Sequence, residues 1–428
     1  MKAEFTACAN NSRIGIMQKQ MNQPVVKCLK AKPVAVLLFL GLASGALFPT
    51  RLAAVGFRLP HQDPEAIARG DAFAATADNP SAIYYNPAGI TQLSGDNIRA
   101  GIYVISANTK FTSPSGVTAH TDTTLQPVPQ LYYVHSFTNL PVSVGLGVYA
   151  PYGLSLNWGN NAPFNTIAEN GSLTYLCFNP VIAWRVCDTL SIAAGPTINY
   201  SQVELQNALP FSPANVFNYS GDGTDFGFNV GILWQPHPMW SFGVNYHSST
   251  KINYNGTASQ NFGAPFVSST SSRVAVPFPQ FVVGGISFRP TPKWNIEFDL
   301  DWTEWDDVKS ATFGATPFGP QTLTLNYKNS FIYEFGVTRQ LGKGYFASVG
   351  YIYNQNSSPD ANFNPVIPDA NLNLGSVGFG RHGQQWDWAI AYHFAYGGRT
   401  VQNDSNPSAN GTYKTFNNAF NAAVTFKF

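Results

Sequence analysis

From residue 97 to the end of the chain one unit recurs: a segment of about ten to fifteen residues in which apolar and polar side chains alternate. In 294–302, Trp294, Ile296, Phe298, Leu300 and Trp302 share one face, and Asn295, Glu297, Asp299 and Asp301 share the other. In 386–396, Trp386, Trp388, Ile390, Tyr392, Phe394 and Tyr396 oppose Asp387, Ala389, Ala391, His393 and Ala395. A period of two is the period of a β-strand. The apolar faces differ from those of a soluble sandwich, which are built from Val, Leu and Ile. Here aromatics crowd the strand ends and the opposite face is small and polar. That is the pattern of a strand with lipid outside, aromatic girdles at both interfaces and a wet lumen inside.

The connections point the same way. Fourteen such segments run from 97–111 to 415–428. Short linkers (TNL, RPTP, LGKG, HGQ) alternate with long ones at 112–126, 152–170, 205–224, 252–275, 306–327, 356–372 and 397–414. Short turns on one rim and long loops on the other describe an outer-membrane barrel. The last segment, NAAVTFKF, stops on Phe428 in the middle of its alternation. A closed barrel has no free edge, so its last strand must pair with its first. A terminal aromatic is also what the barrel assembly machinery reads, which makes that machinery an expected partner. The expected fold is all-β: a 14-stranded antiparallel transmembrane β-barrel over 97–428, in the outer membrane of a Gram-negative cell and in contact with outer-membrane lipid and lipopolysaccharide.

Composition fits. Charged residues are 11% and aromatics 14%, against about 25% charged in an average soluble domain. Lys27, Lys30 and Lys32 precede VAVLLFLGLASGALF, a basic region and an apolar run too short to span a bilayer as a helix. Residues 1–54 therefore read as a secretory leader, with cleavage after Ala46 or Ala54. The leader carries net +6, so removing it takes the whole chain's +1 to −5; nothing in that invites nucleic acid. Cys8 and Cys28 leave with it. Cys177 and Cys187 lie near the two ends of one segment, too far apart for a disulfide within that strand.

Residues 55–96 break the alternation. Asp63-Pro64, Asn79-Pro80 and Asn86-Pro87 each place an N-cap residue before a proline suited to the first helical position. The stretch reads as short helical turns, too small for a core of its own. A fourteen-strand lumen is too wide for wall side chains to fill, so an N-terminal hatch that plugs it is the expected role.

The stretch GFRL…ARGDAFAATADNPSAIYYNPAGITQL and the segment GVYAPYGLSLNW at 147–158 resemble the FadL family of outer-membrane transporters for long-chain fatty acids and other hydrophobic compounds. The resemblance implies a monomeric barrel that captures hydrophobic small molecules outside and releases them sideways through a gap in its wall, gated by the hatch. Long-chain fatty acids are the first expectation; monoaromatic hydrocarbons or alkanes are the alternative. It implies a hatch motif at Asn86, Pro87 and Ala88, an inner binding pocket at Phe57, and a wall-gap kink in the third strand at Pro151, Tyr152 and Gly153. It also implies an external capture groove between loops bearing Leu209, Phe211 and Phe217, then Phe262, Phe266 and Val267. Proline alone does not single out the kink, because Pro180, Pro196 and Pro279 also fall in expected strands. A substrate carboxylate would want a lumen cation, for which Arg99, Arg185, Arg289 and Lys293 all remain open.

Other functions find less support. There is no GxSxG elbow and no metal-spaced histidine pair, so no enzyme, cofactor or metal is expected. Glu297, Asp299 and Asp301 read as lumen residues rather than a calcium site. Gly378 to Gly383 matches GxGxxG, but a strand follows it, not the helix a dinucleotide needs. A general diffusion porin remains an alternative, and the hatch is the feature that separates the two.

Overall fold

A computed structural model describes residues 57–428 apart from 124, 211 and 213. The leader 1–54 with its expected cleavage sites, residues 55–56 of the expected hatch, and Phe211 lie outside the described residues.

Fourteen strands form the wall. They are β1 (Gly95–Thr112), β2 (Leu125–Ser136), β3 (Val142–Tyr149, resuming at Gly153–Asn157), β4 (Asn170–Cys187), β5 (Leu190–Ala208) and β6 (Val216–His237). Next come β7 (Trp240–His247 and Thr250–Asn261), β8 (Val267–Phe278 and Phe281–Thr291), β9 (Trp294–Thr303) and β10 (Ser330–Gly342). The last are β11 (Tyr345–Asn354), β12 (Leu372–His382), β13 (Trp386–Val401) and β14 (Gly411–Lys427). Each pairs antiparallel with the next. β14 closes the ring on β1, from Asn97↔Lys427 to Thr112↔Thr412. Phe428 and Asp96 exchange N–H···O bonds of 2.9 and 3.0 Å, so the terminal aromatic belongs to the closing ladder.

The faces are inverted relative to a soluble protein. On β9 Trp294 and Phe298 are about two-fifths exposed, while Glu297, Asp299 and Asp301 are buried. On β13 the exposed row runs from Trp386 to Tyr396. At about 3.3 Å per residue and a tilt of about 40° that row is about 25 Å tall, the height of a lipid-facing band.

The strands run further than alternation suggests. β6 starts at Val216, and β7 and β8 extend as a hairpin to Asn261↔Val267, so most of 252–275 is ladder rather than loop. Above the lipid both faces of a strand are wet. Sequences such as KINYNGTASQN therefore lose the apolar alternation while keeping the hydrogen bonds.

Residues 57–94 lie inside the ring as buried short helices: α1 (Pro64–Ala68), α2 (Ala82–Tyr85) and a 3-10 turn over Pro87–Gln92. Asp63 caps α1, accepting from Glu65 N–H at 2.9 Å, and Asn86 caps the 3-10 turn, accepting from Ala88 N–H at 3.2 Å. The third pair differs: Asn79 Oδ1 accepts from Ser81 N–H, and α2 begins only at Ala82.

Charge holds this hatch from two sides. On β9, Asp299 accepts the N–H groups of Phe73 and Ala74 at 2.8 and 2.7 Å. Glu297 accepts those of Ala75 and Thr76 at 2.9 and 3.0 Å, and the Thr76 hydroxyl as well. Asp301 pairs with Arg58 at 2.7 Å. The acidic row is thus occupied by hatch donors. From β1, Arg99 reaches Asp63 at 2.5 Å and Glu65 at 3.1 Å. Burial alone would raise the Glu65 pKa, but His382 and Arg99 outweigh it and hold the carboxyl below its ordinary range.

Strand glycines let the hatch backbone come this close. A Cβ at Gly243 would stand 1.9 Å from the Ala74 carbonyl oxygen, and one at Gly350 would stand 1.9 Å from Gly70 N. Gly378, in the GxGxxG run, faces Ala68 in the same way. Overpacking at such contacts costs about 1–3 kcal/mol. Gly243→Val is expected to assemble as a heat-modifiable barrel whose hatch is displaced, with single-channel conductance in planar bilayers well above that of the parent. Conductance equal to the parent's would mean the hatch does not depend on this contact.

Candidate functional site

The ladder between β2 and β3 fails over half the length of β2. β2 pairs with β3 only from Leu131↔Val148 to Ser136↔Ser143. Its other half, Leu125–Gln130, has β1 on one side and, among the described residues, no barrel strand on the other. β3 stops at Tyr149, turns through Ala150-Pro151-Tyr152, and resumes at Gly153 paired to β4 alone. The result is a window between β2 and β3. Asp122 and Asn157 close its outer end, Asp122 N–H donating to the Asn157 carbonyl at 2.8 Å and Asn157 Nδ2 to the Asp122 carboxylate at 2.7 Å.

The β2 edge of the window is built to stand unpaired. Phe137 donates its N–H to Val142 across the β2–β3 turn, so odd-numbered residues of β2 direct their backbone groups toward β3. Pro127 and Pro129 share that parity. Their nitrogens, which carry no hydrogen, face the missing partner. An unsatisfied backbone group in hydrocarbon costs several kcal/mol, and proline removes the donor where a strand must end as an edge. The run PVP at 127–129 is the sequence signal of this edge.

The start of the described chain fills the window. Gly153 N–H donates to the Phe57 carbonyl at 2.8 Å, and Leu59 N–H donates to the Pro151 carbonyl at 2.7 Å. Arg58 and Tyr152 therefore face each other as an isolated antiparallel bridge. Gln62 Nε2 donates to the Ala150 carbonyl at 2.8 Å. From β2, Gln130 donates to the His61 carbonyl at 3.2 Å and Tyr132 to the Gln62 carbonyl at 3.1 Å. Residues 57–62 thus bond to both edges and form a latch.

Phe57 meets the kink itself. Its ring lies 6.0 Å from Tyr152, 5.5 Å from Phe278 and 4.8 Å from Trp305. Next to it, the Arg58 guanidinium stacks 3.6 Å from the centre of the Phe281 ring and donates to Thr303 at 2.7 Å. Burial alone would lower the Arg58 pKa; Asp301 outweighs it, and the net shift is upward.

Asn86 is buried and doubly anchored, donating to the Ala74 carbonyl at 2.8 Å and to Ile232 of β6 at 3.0 Å. Pro87 lies over Gly231, where a Cβ would come within 2.7 Å of its ring, and Ala88 is buried beside it. Of the expected capture residues, Phe262, Phe266 and Val267 lie at the tip of the β7–β8 hairpin, where Phe266 and Val267 are exposed. Phe262 meets Phe318 of the following loop, ring centres 5.8 Å apart. Leu209 is buried, and Phe217 is half-buried against Phe313. The exposed apolar surface thus sits on the β7–β8 and β9–β10 connections, because the extended β6–β7 ladder folds the preceding loop inward.

Among the cations weighed from sequence, Arg99 is engaged by Asp63 and Glu65, and Arg185 donates to the Thr91 carbonyl. Lys293 lies in the β8–β9 turn. Two cavities flank the window and share Leu372 and Asn417. The outer one includes Leu154 and Leu156 of β3; the inner includes Leu59, Ile105 and His393. His393 Nδ1 and Asn417 Oδ1 have no hydrogen-bond partner among the described residues.

The family model for outer membrane protein transport proteins (OMPP1/FadL/TodX) matches residues 45–428. The long-chain fatty acid transport protein of Escherichia coli strain K12 is 22% identical over 377 residues, covering 76% of this chain and 83% of that protein. A putative outer membrane protein of Neisseria meningitidis is 23% identical over 410 residues, covering 81% and 86%. Among solved structures, a Pseudomonas aeruginosa FadL homologue superposes with a TM-score of 0.77 at 15% identity, covering 87% of this chain and all of that one. The Pseudomonas putida toluene transporter TodX gives 0.68 at 16%, covering 89% and 99%; at these identities the likeness establishes the fold. The closed barrel, its filled lumen and the match across nearly the whole chain lead to one conclusion: the chain belongs to the OMPP1/FadL/TodX family of outer-membrane transport proteins and is a transporter of hydrophobic compounds, not an enzyme.

Proposed function

We propose that this protein is a passive channel that takes hydrophobic compounds from outside the cell and passes them sideways into the outer membrane through the β2–β3 window, with residues 57–62 as the gate. The observation that carries this reading is the β2 edge over Leu125–Gln130, which β3 does not pair and where Pro127 and Pro129 present no N–H, with the latch bonded beside it by Gln130 and Tyr132. A solute that leaves through the wall crosses neither the packed hatch nor the water beyond it, which suits an apolar cargo. The packed hatch weighs against a general diffusion porin. Exposed Phe266 and Val267, with Phe262 beside Phe318, supply an outer surface for first contact; burying apolar groups there gains about 0.8 kcal/mol per CH₂.

For the cargo, two classes compete: long-chain fatty acids, carried by the Escherichia coli relative, and monoaromatic hydrocarbons, carried by TodX-like channels of the same fold. The cavities flanking the window favour an uncharged solute. Their only arginine is Arg58, already paired with Asp301, and their only carboxylate is Asp122. An ionised carboxylate would find no free cation there and would be costly to desolvate. His393 and Asn417 can still bond a neutral hydroxyl.

The test is uptake by Gram-negative cells that lack their own hydrophobic-solute channels and express this chain. Labelled toluene is expected to enter several-fold faster than in empty-vector cells, with oleate gaining less. A variant with Arg58→Cys and Tyr152→Cys, in a Cys177→Ser/Cys187→Ser background, is expected to lose uptake when oxidised and recover it on reduction. Oleate entering faster than toluene would overturn the substrate assignment. Uptake indifferent to the cross-link would overturn the window.

A further inference from the structure

Above the lipid-facing band, the outer wall carries a row of basic groups that the transport path does not use. Lys110 on β1 stands directly across from Lys414 on β14 and, on its other side, from His120 of the short Thr118–His120 strand. All three are exposed. Directly opposed residues on one sheet face lie about 5 Å apart, and like charges so placed repel. Among the described residues no carboxylate forms an ion pair with any of them. Two lysines held side by side without a counter-charge call for an external anion.

Their height identifies which one. Phe416, two residues below Lys414 on the same face, is 49% exposed, and its cross-strand partner Tyr396 is 60% exposed. These rings mark the outer end of the apolar band. The lysines sit about 5 Å above it along the membrane normal, given a rise of about 3.3 Å per residue and a tilt of about 40°. That is the headgroup layer of the outer leaflet. Lys110 and Lys414 also line a surface groove of about 640 Å³ whose other walls include Thr400, Thr412, Asn403 and Asn410, with no acidic residue. Hydroxyls and amides there can donate to phosphate oxygens that the ammonium groups attract. Below the groove Phe416, Tyr396 and Phe394 offer apolar surface for acyl chains.

We propose that the Lys110–Lys414 pair, flanked by His120, is a binding site for a phosphate of lipid A, which fixes a lipopolysaccharide molecule against the β13–β14–β1 wall. The barrel seam closes there, so the bound lipid bridges the first and last strands. The site is independent of what passes through the lumen.

The test uses the purified barrel in detergent, titrated in native mass spectrometry with diphosphoryl lipid A and with the same lipid after enzymatic removal of both phosphates. Wild type is expected to bind the phosphorylated form about tenfold or more tightly, in line with two surface lysines acting on one anionic headgroup. Lys110→Ala/Lys414→Ala is expected to bind the two lipids alike, and Lys110→Arg/Lys414→Arg to keep the preference. Equal binding of the two lipids by wild type, or a preference undiminished in the alanine variant, would overturn the proposal. Complexes formed equally well with inorganic phosphate alone would also overturn it, reassigning the row to free anions. Heat-modifiable migration checks that each variant is folded; if the alanine variant is not, the wild-type comparison of the two lipids decides.

Discussion

In hydrocarbon, each backbone N–H and C=O must find its partner within the protein, and every failure costs several kcal/mol. The rest of this structure follows from that constraint. It makes the wall a ring, drives β14 back onto β1 down to the Asp96–Phe428 pair, and turns the aromatic faces outward. It also makes the interruption between β2 and β3 informative. Where β3 leaves β2, the chain does not leave a row of bare donors in the membrane. Two prolines delete the donors from one edge, and the latch at 57–62 bonds the carbonyl and N–H groups of the other.

The latch is held in turn by charges that would be out of place in a soluble fold. Arg58, Arg99, Glu297, Asp299 and Asp301 are all buried. Removing one member of such a pair leaves an uncompensated charge, at a cost of about 3–5 kcal/mol. The acidic row on β9 thus sets the depth and rotation of the hatch, and Arg58, the residue between Phe57 and Leu59, links that row directly to the window. On the proposed route, the position of the plug and the state of the window are therefore one mechanical variable.

Much of this was legible in the sequence because lipid imposes a periodicity. Strand number, alternating turn lengths, the closing role of NAAVTFKF and two of the three helix caps all follow from local pattern. The misses share a cause. The outer halves of β6, β7 and β8 stand in water on both faces, so their ladders leave no apolar trace. Leu209 is buried because β5 runs on to Ala208 and β6 begins at Val216, which leaves a short connection. The roles of Glu297, Asp299 and Asp301 depend on partners more than 200 residues away, which no spacing rule reports. Pro127 and Pro129 were visible, yet their meaning required knowing which side of β2 lacked a neighbour.

The energetics of the latch bear on what can open it. Five hydrogen bonds join residues 57–62 to the two window edges. At about 1 kcal/mol net each they amount to about 5 kcal/mol, enough to keep the window shut in nearly all molecules. An apolar solute that displaces the latch and buries itself gains about 0.8 kcal/mol per CH₂-sized group, so about six or seven carbons offset those bonds. Water and small polar solutes gain nothing comparable. On the proposed route, selectivity for hydrophobic cargo therefore resides in the opening step itself, because only a solute with enough apolar surface offsets the bonds of the latch.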